Sequence, residues 1–163
     1  MYRVLFVCSS NVCRSPYCEY EFRRIIEADP VLSGMVEVQS SAVLNQMKKM
    51  DPKTRAALLK DGFSEAECDA HRPGVFYRDA KKFREADIII GMTRMQKLTL
   101  LLMPGGWAKK YTTLSEAAGH PYKSVPDPWL EKDMEKYFAV MDELKGYVTE
   151  YAERLKEQLT KEI

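Results

Sequence analysis

Cys8 and Arg14 stand six positions apart in the run Cys8-Ser9-Ser10-Asn11-Val12-Cys13-Arg14-Ser15-Pro16. A thiol becomes a strong nucleophile once ionised, and a guanidinium can fork two N–H groups onto two oxygens of one phosphate. Small residues fill most of the space between them. They let the backbone curl so that successive N–H groups point inward and form an anion nest. Ser15-Pro16 reads as a helix start, with Ser15 as N-cap and Pro16 at the first helical position. The positive end of that helix would face the same spot. Every one of these features favours a bound tetrahedral dianion, and the same field favours a thiolate over a thiol. A bare Cys-x5-Arg pattern arises by chance. Between an apolar strand and a helix start it becomes specific.

A thiolate attacking phosphorus must expel an oxyanion, and an aryl or alkyl oxide leaves poorly unless it is protonated. Asp127, in Pro126-Asp127-Pro128-Trp129, is the candidate acid. Alone, Pro-Asp-Pro reads as a rigid turn; beside the Cys8 loop it reads as the proton donor. Trp129 would then wall the cleft and offer a face on which a phenol ring stacks. Two histidines and four cysteines at these spacings make no zinc pattern, so no metal and no cofactor are expected.

Alternating elements must hold these residues. Val4–Val7 is a continuous apolar run, the mark of a strand buried on both faces. The spacing predicts a helix from Ser15 to Ala28, a short strand over Met35–Gln39 and a helix from Asp51-Pro52 to Lys60. A charged helix over Tyr77–Glu85 and a central strand over Asp87–Met92 follow. Thr93 caps a helix reaching Met103, and Lys109–Leu114 is a weak last strand. Ser124–Leu130 is a loop, and a long amphipathic helix runs from about Glu131 to Leu159. Strand–helix alternation implies an α/β fold with a mostly parallel sheet, in which ligands bind beyond the carboxyl ends of the strands.

The chain has 163 residues, within the range of a single domain, here taken as 1–163. Its formal charge of +1 lacks the basic excess of a nucleic-acid binder, so no nucleic acid is expected. No apolar run approaches the ~18 residues of a membrane span, so no membrane insertion is expected. No basic-then-apolar leader precedes Cys8, and Cys8, Cys13 and Cys18 lie too close together to staple distant segments. A cytoplasmic protein with free thiols is the expectation.

Val4–Glu19 resembles the signature of the low-molecular-weight protein tyrosine phosphatases, and the likeness extends through Val38–Ala42, Ala86–Met92 and Asp127-Pro128-Trp129. The resemblance implies a four-stranded parallel sheet flanked by helices on both faces, with the phosphate loop after the first strand. It implies that Cys8 becomes phosphorylated, that Arg14 binds the phosphoryl oxygens, and that Asp127 protonates the leaving oxygen and later activates water. Ser9, Ser10, Asn11, Val12, Cys13 and Ser15 would complete the phosphate site, with a phosphate or sulfate bound there. Ser15 would donate to the Cys8 thiolate, Asn11 would hold a left-handed bend, and Ser40 (or Ser41) and His71 would brace the loop. Cys13 would be a redox partner for Cys8, while Cys18 and Cys68 would pack as small hydrophobes. The implied substrate is a phosphotyrosine protein or a small aryl phosphate.

The chain departs from the family pattern at several positions. Ser10 stands where Gly is common, and Thr93 stands where many members carry Asp. Val43–Met50 lacks the aromatic that usually lines the second wall, where Met47 or Leu44 would substitute. Within the same fold, protein arginine phosphatases typically carry Thr at the Val12 position. Thioredoxin-coupled arsenate reductases need two further cysteines, and none lies between Gly91 and Pro104. A phosphocysteine carrier would need neither Arg14 nor Asp127, and the presence of Cys8, Arg14 and Asp127 together speaks against a phosphate-binding module without turnover.

Overall fold

The computed structural model describes residues 1–163. Val4-Leu5-Phe6-Val7 lies within strand β1 (Tyr2–Cys8), and all four side chains are buried. At ~1.5–3 kcal/mol for each large apolar side chain removed from water, this run anchors the sheet. β2 (Val36–Ala42) and β3 (Ile88–Gly91) pair with β1 on either side, and β4 (Tyr111–Thr113) pairs with β3. All the pairings are parallel, and the strand order is β2-β1-β3-β4. Phe6 lies opposite Ser40 on one side and Ile90 on the other, and Cys8 ends level with Ala42. The carboxyl ends of the strands therefore open onto one rim, where Cys8 sits.

Side chains alternate across the sheet, as the pleat requires. Val4, Phe6 and Ile90 enter the larger core with α1 (Arg14–Ala28) and α7 (Met134–Lys161). Phe22 of α1 meets Phe6 edge-on and stacks on Tyr151 of α7, joining sheet to helix to helix. Leu5, Val7 and Ile89 face the other way, against Phe83 of α4 (Ala80–Glu85) and Leu100 of α5 (Arg94–Leu101). Helices thus cover both faces. The remaining helices are α2 (Pro52–Lys60), α3 (Glu65–Asp69) and the single turn α6 (Leu114–Ala117). No helix is long and apolar enough to cross a membrane.

Several boundaries differ from the sequence expectations. The first helix begins at Arg14 with Cys13 at the N-cap position, so Ser15 is not the cap. Its hydroxyl serves the loop instead, as described below. β2 runs on to Ala42, carrying Ser40 and Ser41 inside the strand. The charged helix expected over Tyr77–Glu85 is confined to Ala80–Glu85. The long helix starts at Met134, where the Asp133 carboxylate accepts the N–H groups of Glu135 and Lys136. Thr93 occupies the N-cap position of α5 but makes no side-chain capping bond. Sequence reasoning passed over α3, although Ser64 and Glu67 form a complete capping box, a pattern visible in the chain.

Candidate active site

The loop from Cys8 to Arg14 closes around one left-handed residue. Asn11 has φ 56° and is the only non-glycine residue with positive φ. Asn pays less for this conformation than most residues, because its short amide bonds locally. Its Nδ2 donates to Ser15 Oγ and Ser40 Oγ, both at 2.8 Å. Its Oδ1 accepts the Gly74 N–H at 2.9 Å. Its carbonyl lies 2.9 Å from His71 Nε2. Burial lowers the proton affinity of His71. The ring is therefore neutral at pH 7, and Nε2 carries the proton it donates to that carbonyl. Ser41 takes a separate path, donating to Asp79 at 2.6 Å, so Ser40 alone braces Asn11. A Cβ at Gly74 would lie 1.8 Å from Asp79 Oδ2, so any larger residue there would displace the Asp79 side chain that Ser41 bonds.

Within this frame the Ser15 hydroxyl lies 3.0 Å from Cys8 Sγ. Ser15 receives the Asn11 amide, so its own proton is free for the sulfur. Arg14 is 4% exposed and its Nη1 donates to the Val125 carbonyl at 2.9 Å. Val125 in turn donates its N–H to the Met92 carbonyl at the end of β3. Arg14 Nη2 lies 3.5 Å from Asp127 Oδ2, while Nε is buried without a partner. A buried guanidinium N–H left unpaired costs ~1–3 kcal/mol or more, a cost that an anion oxygen would relieve.

A cleft of about 370 Å³ opens over Cys8 and Arg14, floored by Ser9, Ser10, Val12 and Cys13. Its walls are Leu44, Asn45, Met47, Asp127 and Trp129. Leu44 and Met47 both stand where the second wall lacks an aromatic. Asn11 and Ser15 are fully buried behind the loop, so their side chains shape the cleft without lining it. No group of three His, Cys, Asp or Glu side chains is placed to hold a metal ion.

Cys13, on the cleft floor, also meets α7. Its sulfur lies 2.9 Å from the Tyr137 hydroxyl, which also meets Thr54 Oγ1 at 2.5 Å. Burial pushes the Cys13 thiol up to about 12. Cys18 and Cys68 are buried, as expected of small hydrophobes.

The family model described as "Low molecular weight phosphotyrosine protein phosphatase" matches residues 3–161. The chain belongs to this family. A low molecular weight protein-tyrosine-phosphatase of Streptomyces coelicolor is 41% identical over 64 residues, spanning 38% of each chain. A protein-arginine-phosphatase of Bacillus subtilis is 26% identical over 154 residues, covering 94% of this chain and 96% of that one. The solved structure of a low molecular weight protein tyrosine phosphatase from T. tengcongensis superimposes with a TM-score of 0.79 at 28% identity. That match covers 94% of this chain and 99% of the other. Members of the phosphatase family are cysteine-based hydrolases of phosphoesters, and this chain shares their four-stranded sheet with the loop after β1.

Two of this phosphatase's departures from the family pattern have local answers. At the Thr93 position, Gln96 Oε1 accepts the Met92 N–H at 2.8 Å, and the Tyr111 hydroxyl donates to the Thr93 carbonyl. Ser10 is accommodated on the cleft floor. Sequence reasoning missed Gly74, Lys53 and the Thr54–Tyr137 pair. Asp51-Pro52 marks the helix that carries Lys53 and Thr54, but nothing local shows where their side chains reach.

Proposed function

We propose that this chain is a single-domain protein tyrosine phosphatase that works through a phosphocysteine intermediate. Cys8, Arg14 and Asp127 meeting in one cleft carries the reading. Cys8 Sγ attacks phosphorus, and the P–O bond to the phenol breaks. Ser15 donates a hydrogen bond to the Cys8 sulfur at 3.0 Å. Arg14 and the loop N–H groups hold the equatorial oxygens, and its orphaned Nε supplies one further donor to them. Asp127, held near Arg14, delivers its proton to the departing phenolate. Once the phenol leaves, the same carboxylate takes a proton from water, which attacks the phosphocysteine and releases phosphate. Thiolate attack on phosphorus and acid–base work by a carboxylate complete the cycle between them.

Apolar side chains support an aryl substrate: Val12 on the floor and Leu44, Met47 and Trp129 on the walls. A phosphotyrosine ring between Trp129 and Met47 would bury its faces without stranding a charge. The alternative substrate is phosphoarginine, favoured by the likeness to the Bacillus subtilis protein-arginine-phosphatase over nearly the full chain. Its guanidinium would need carboxylate partners, and Asp127 is the only acidic residue lining the cleft.

The test is phosphate release from a phosphotyrosine peptide and a phosphoarginine peptide side by side, for wild type and Cys8→Ser. Release from phosphotyrosine, abolished in the variant, is the expected result. Preference for phosphoarginine would overturn the substrate, and activity surviving Cys8→Ser would overturn the mechanism.

A further inference from the structure

The segment carrying Asp127 has no regular structure between Val125 and α7, and Trp129 and Leu130 within it are exposed. Something outside the segment must fix it, because an acid displaced by about 1 Å can lose ~100-fold in rate. We propose that Lys53 is the positioning residue that holds this acid loop against the phosphate loop. The proposal rests on the phosphatase mechanism above and extends it to a residue that touches no substrate.

Lys53 Nζ donates to three carbonyls that follow Asp127: Pro128 at 3.3 Å, Trp129 at 2.7 Å and Glu131 at 2.8 Å. An ammonium has three protons, and each finds one acceptor. The charge also sits 4.9 Å from the centre of the Tyr137 ring, a cation–π contact that fixes the stem. The backbone of the same helical turn is tied to the phosphate loop. Asp51 N–H donates to the Val12 carbonyl at 2.9 Å, and Thr54 Oγ1 donates to the Cys13 carbonyl at 3.3 Å. The Asp51 carboxylate in turn accepts the Lys53 N–H at 2.8 Å, securing the turn itself. The first turn of α2 is therefore a strap, bonded to the nucleophile's loop at one end and to the acid's loop at the other. Arg14 is the other side chain that reaches this loop from outside, through Val125 and Asp127, and it is committed to phosphate. Lys53 grips the backbone and makes no bond to the Asp127 carboxyl, whose Oδ1 accepts the Trp129 N–H at 3.1 Å while Oδ2 lies 3.5 Å from Arg14 Nη2.

The experiment compares kcat/KM for a nitrophenyl phosphate, whose leaving group departs unaided, with that for phenyl phosphate, which needs the acid. Lys53→Met keeps the apolar stem and removes the donors. A fall of ~10-fold or more on phenyl phosphate, with under ~3-fold on the nitrophenyl ester, is expected. In an Asp127→Ala background the same change should add nothing on phenyl phosphate, because the group it positions is gone. Equal losses on both esters, or additive losses in the double variant, would overturn the proposal. Lys53→Gln carries the same criterion if a thermal melt shows that the methionine variant does not fold. Wild-type inactivity on both esters would instead sink the phosphatase reading, which keeps the two failures apart.

Discussion

Replacing Asn11 by alanine removes the centre of the loop brace, and its cost can be built up from the contacts. The side chain is fully buried and makes bonds of 2.8 Å to Ser15, 2.8 Å to Ser40 and 2.9 Å from Gly74. At ~1 kcal/mol net for each bond, the loss is about 3 kcal/mol. Alanine must also adopt the left-handed conformation at φ 56°, adding about 1 kcal/mol. The total of about 4 kcal/mol is a large share of the ~5–15 kcal/mol that holds a domain folded. Asn11→Gly separates the two contributions. It loses the same bonds without the backbone strain, and gives back ~0.4–1 kcal/mol through the freer unfolded chain. The glycine variant should therefore be at least as stable as the alanine variant, with a margin of at most about 0.6 kcal/mol. Urea unfolding followed by fluorescence of the two tryptophans reads both differences. With a slope near ~2 kcal/mol per molar, the alanine midpoint should fall by about 2 M. Activity in the alanine variant should fall at least ~10-fold, since Ser15 loses the bond that aims it at Cys8. An alanine variant within 1 kcal/mol of wild type, or one more stable than the glycine variant, would refute the brace.

Asp127→Ala should lower kcat/KM by ~100-fold or more on phenyl phosphate and far less on a nitrophenyl ester; equal loss would remove Asp127 from the acid's role. Burial lowers the proton affinity of His71 in the folded chain, so below about pH 6.5 the unfolded chain binds a proton that the native one resists. Stability should fall as pH drops through that window, and His71→Gln should flatten the fall in urea midpoints; an unchanged slope would refute it. Glu21 shows the opposite sign. Burial raises it to about 7, so its stabilising contribution is present below the unfolded value of ~4.3 and lost as pH rises through 7. Its Oε1 is buried without a partner, and Glu21→Gln mimics the protonated form, so the variant should gain on wild type between pH 4.5 and 7.5 and level off above. Cys13, with its thiol pushed up to about 12, should be a slow resolving partner for an oxidised Cys8. Recovery by dithiothreitol after a peroxide pulse should rise from pH 6 to pH 8 in wild type and not in Cys13→Ser.

The parts of this molecule that sequence reasoning reached are those whose cause is local. Val4–Val7 is apolar at every position because both faces of β1 are covered, and that needs no knowledge of what covers them. Cys8 and Arg14 lie on one short loop, so their meeting follows from chain length alone. Asp127 is harder, being far away in sequence: expelling an oxyanion calls for an acid, the Pro-Asp-Pro turn offers a carboxyl, and that residue lines the Cys8 cleft. The errors have local causes too. Ser15-Pro16 looks like a helix cap because capping is the commonest use of Ser before Pro. The structure spends that hydroxyl on Cys8 and lets the helix begin at Arg14.

The braces were legible only through the family likeness, and the strap not at all, because both depend on which side chains converge after folding. Asn11 draws its partners from Ser15, Ser40, His71 and Gly74, the last three on other segments of the chain. None of those residue types is unusual where it stands. Two departures from ordinary packing lie at the same place, a left-handed Asn11 and a buried Arg14 Nε without a partner. A loop strained in this way keeps one shape only if elements beyond it over-determine that shape. Separate pieces of the sheet rim and the α2 turn supply that constraint here. The proposed nucleophile and phosphate clamp therefore fit within eight consecutive residues, Cys8 to Ser15, while the contacts that hold their loop in one shape are spread over the chain.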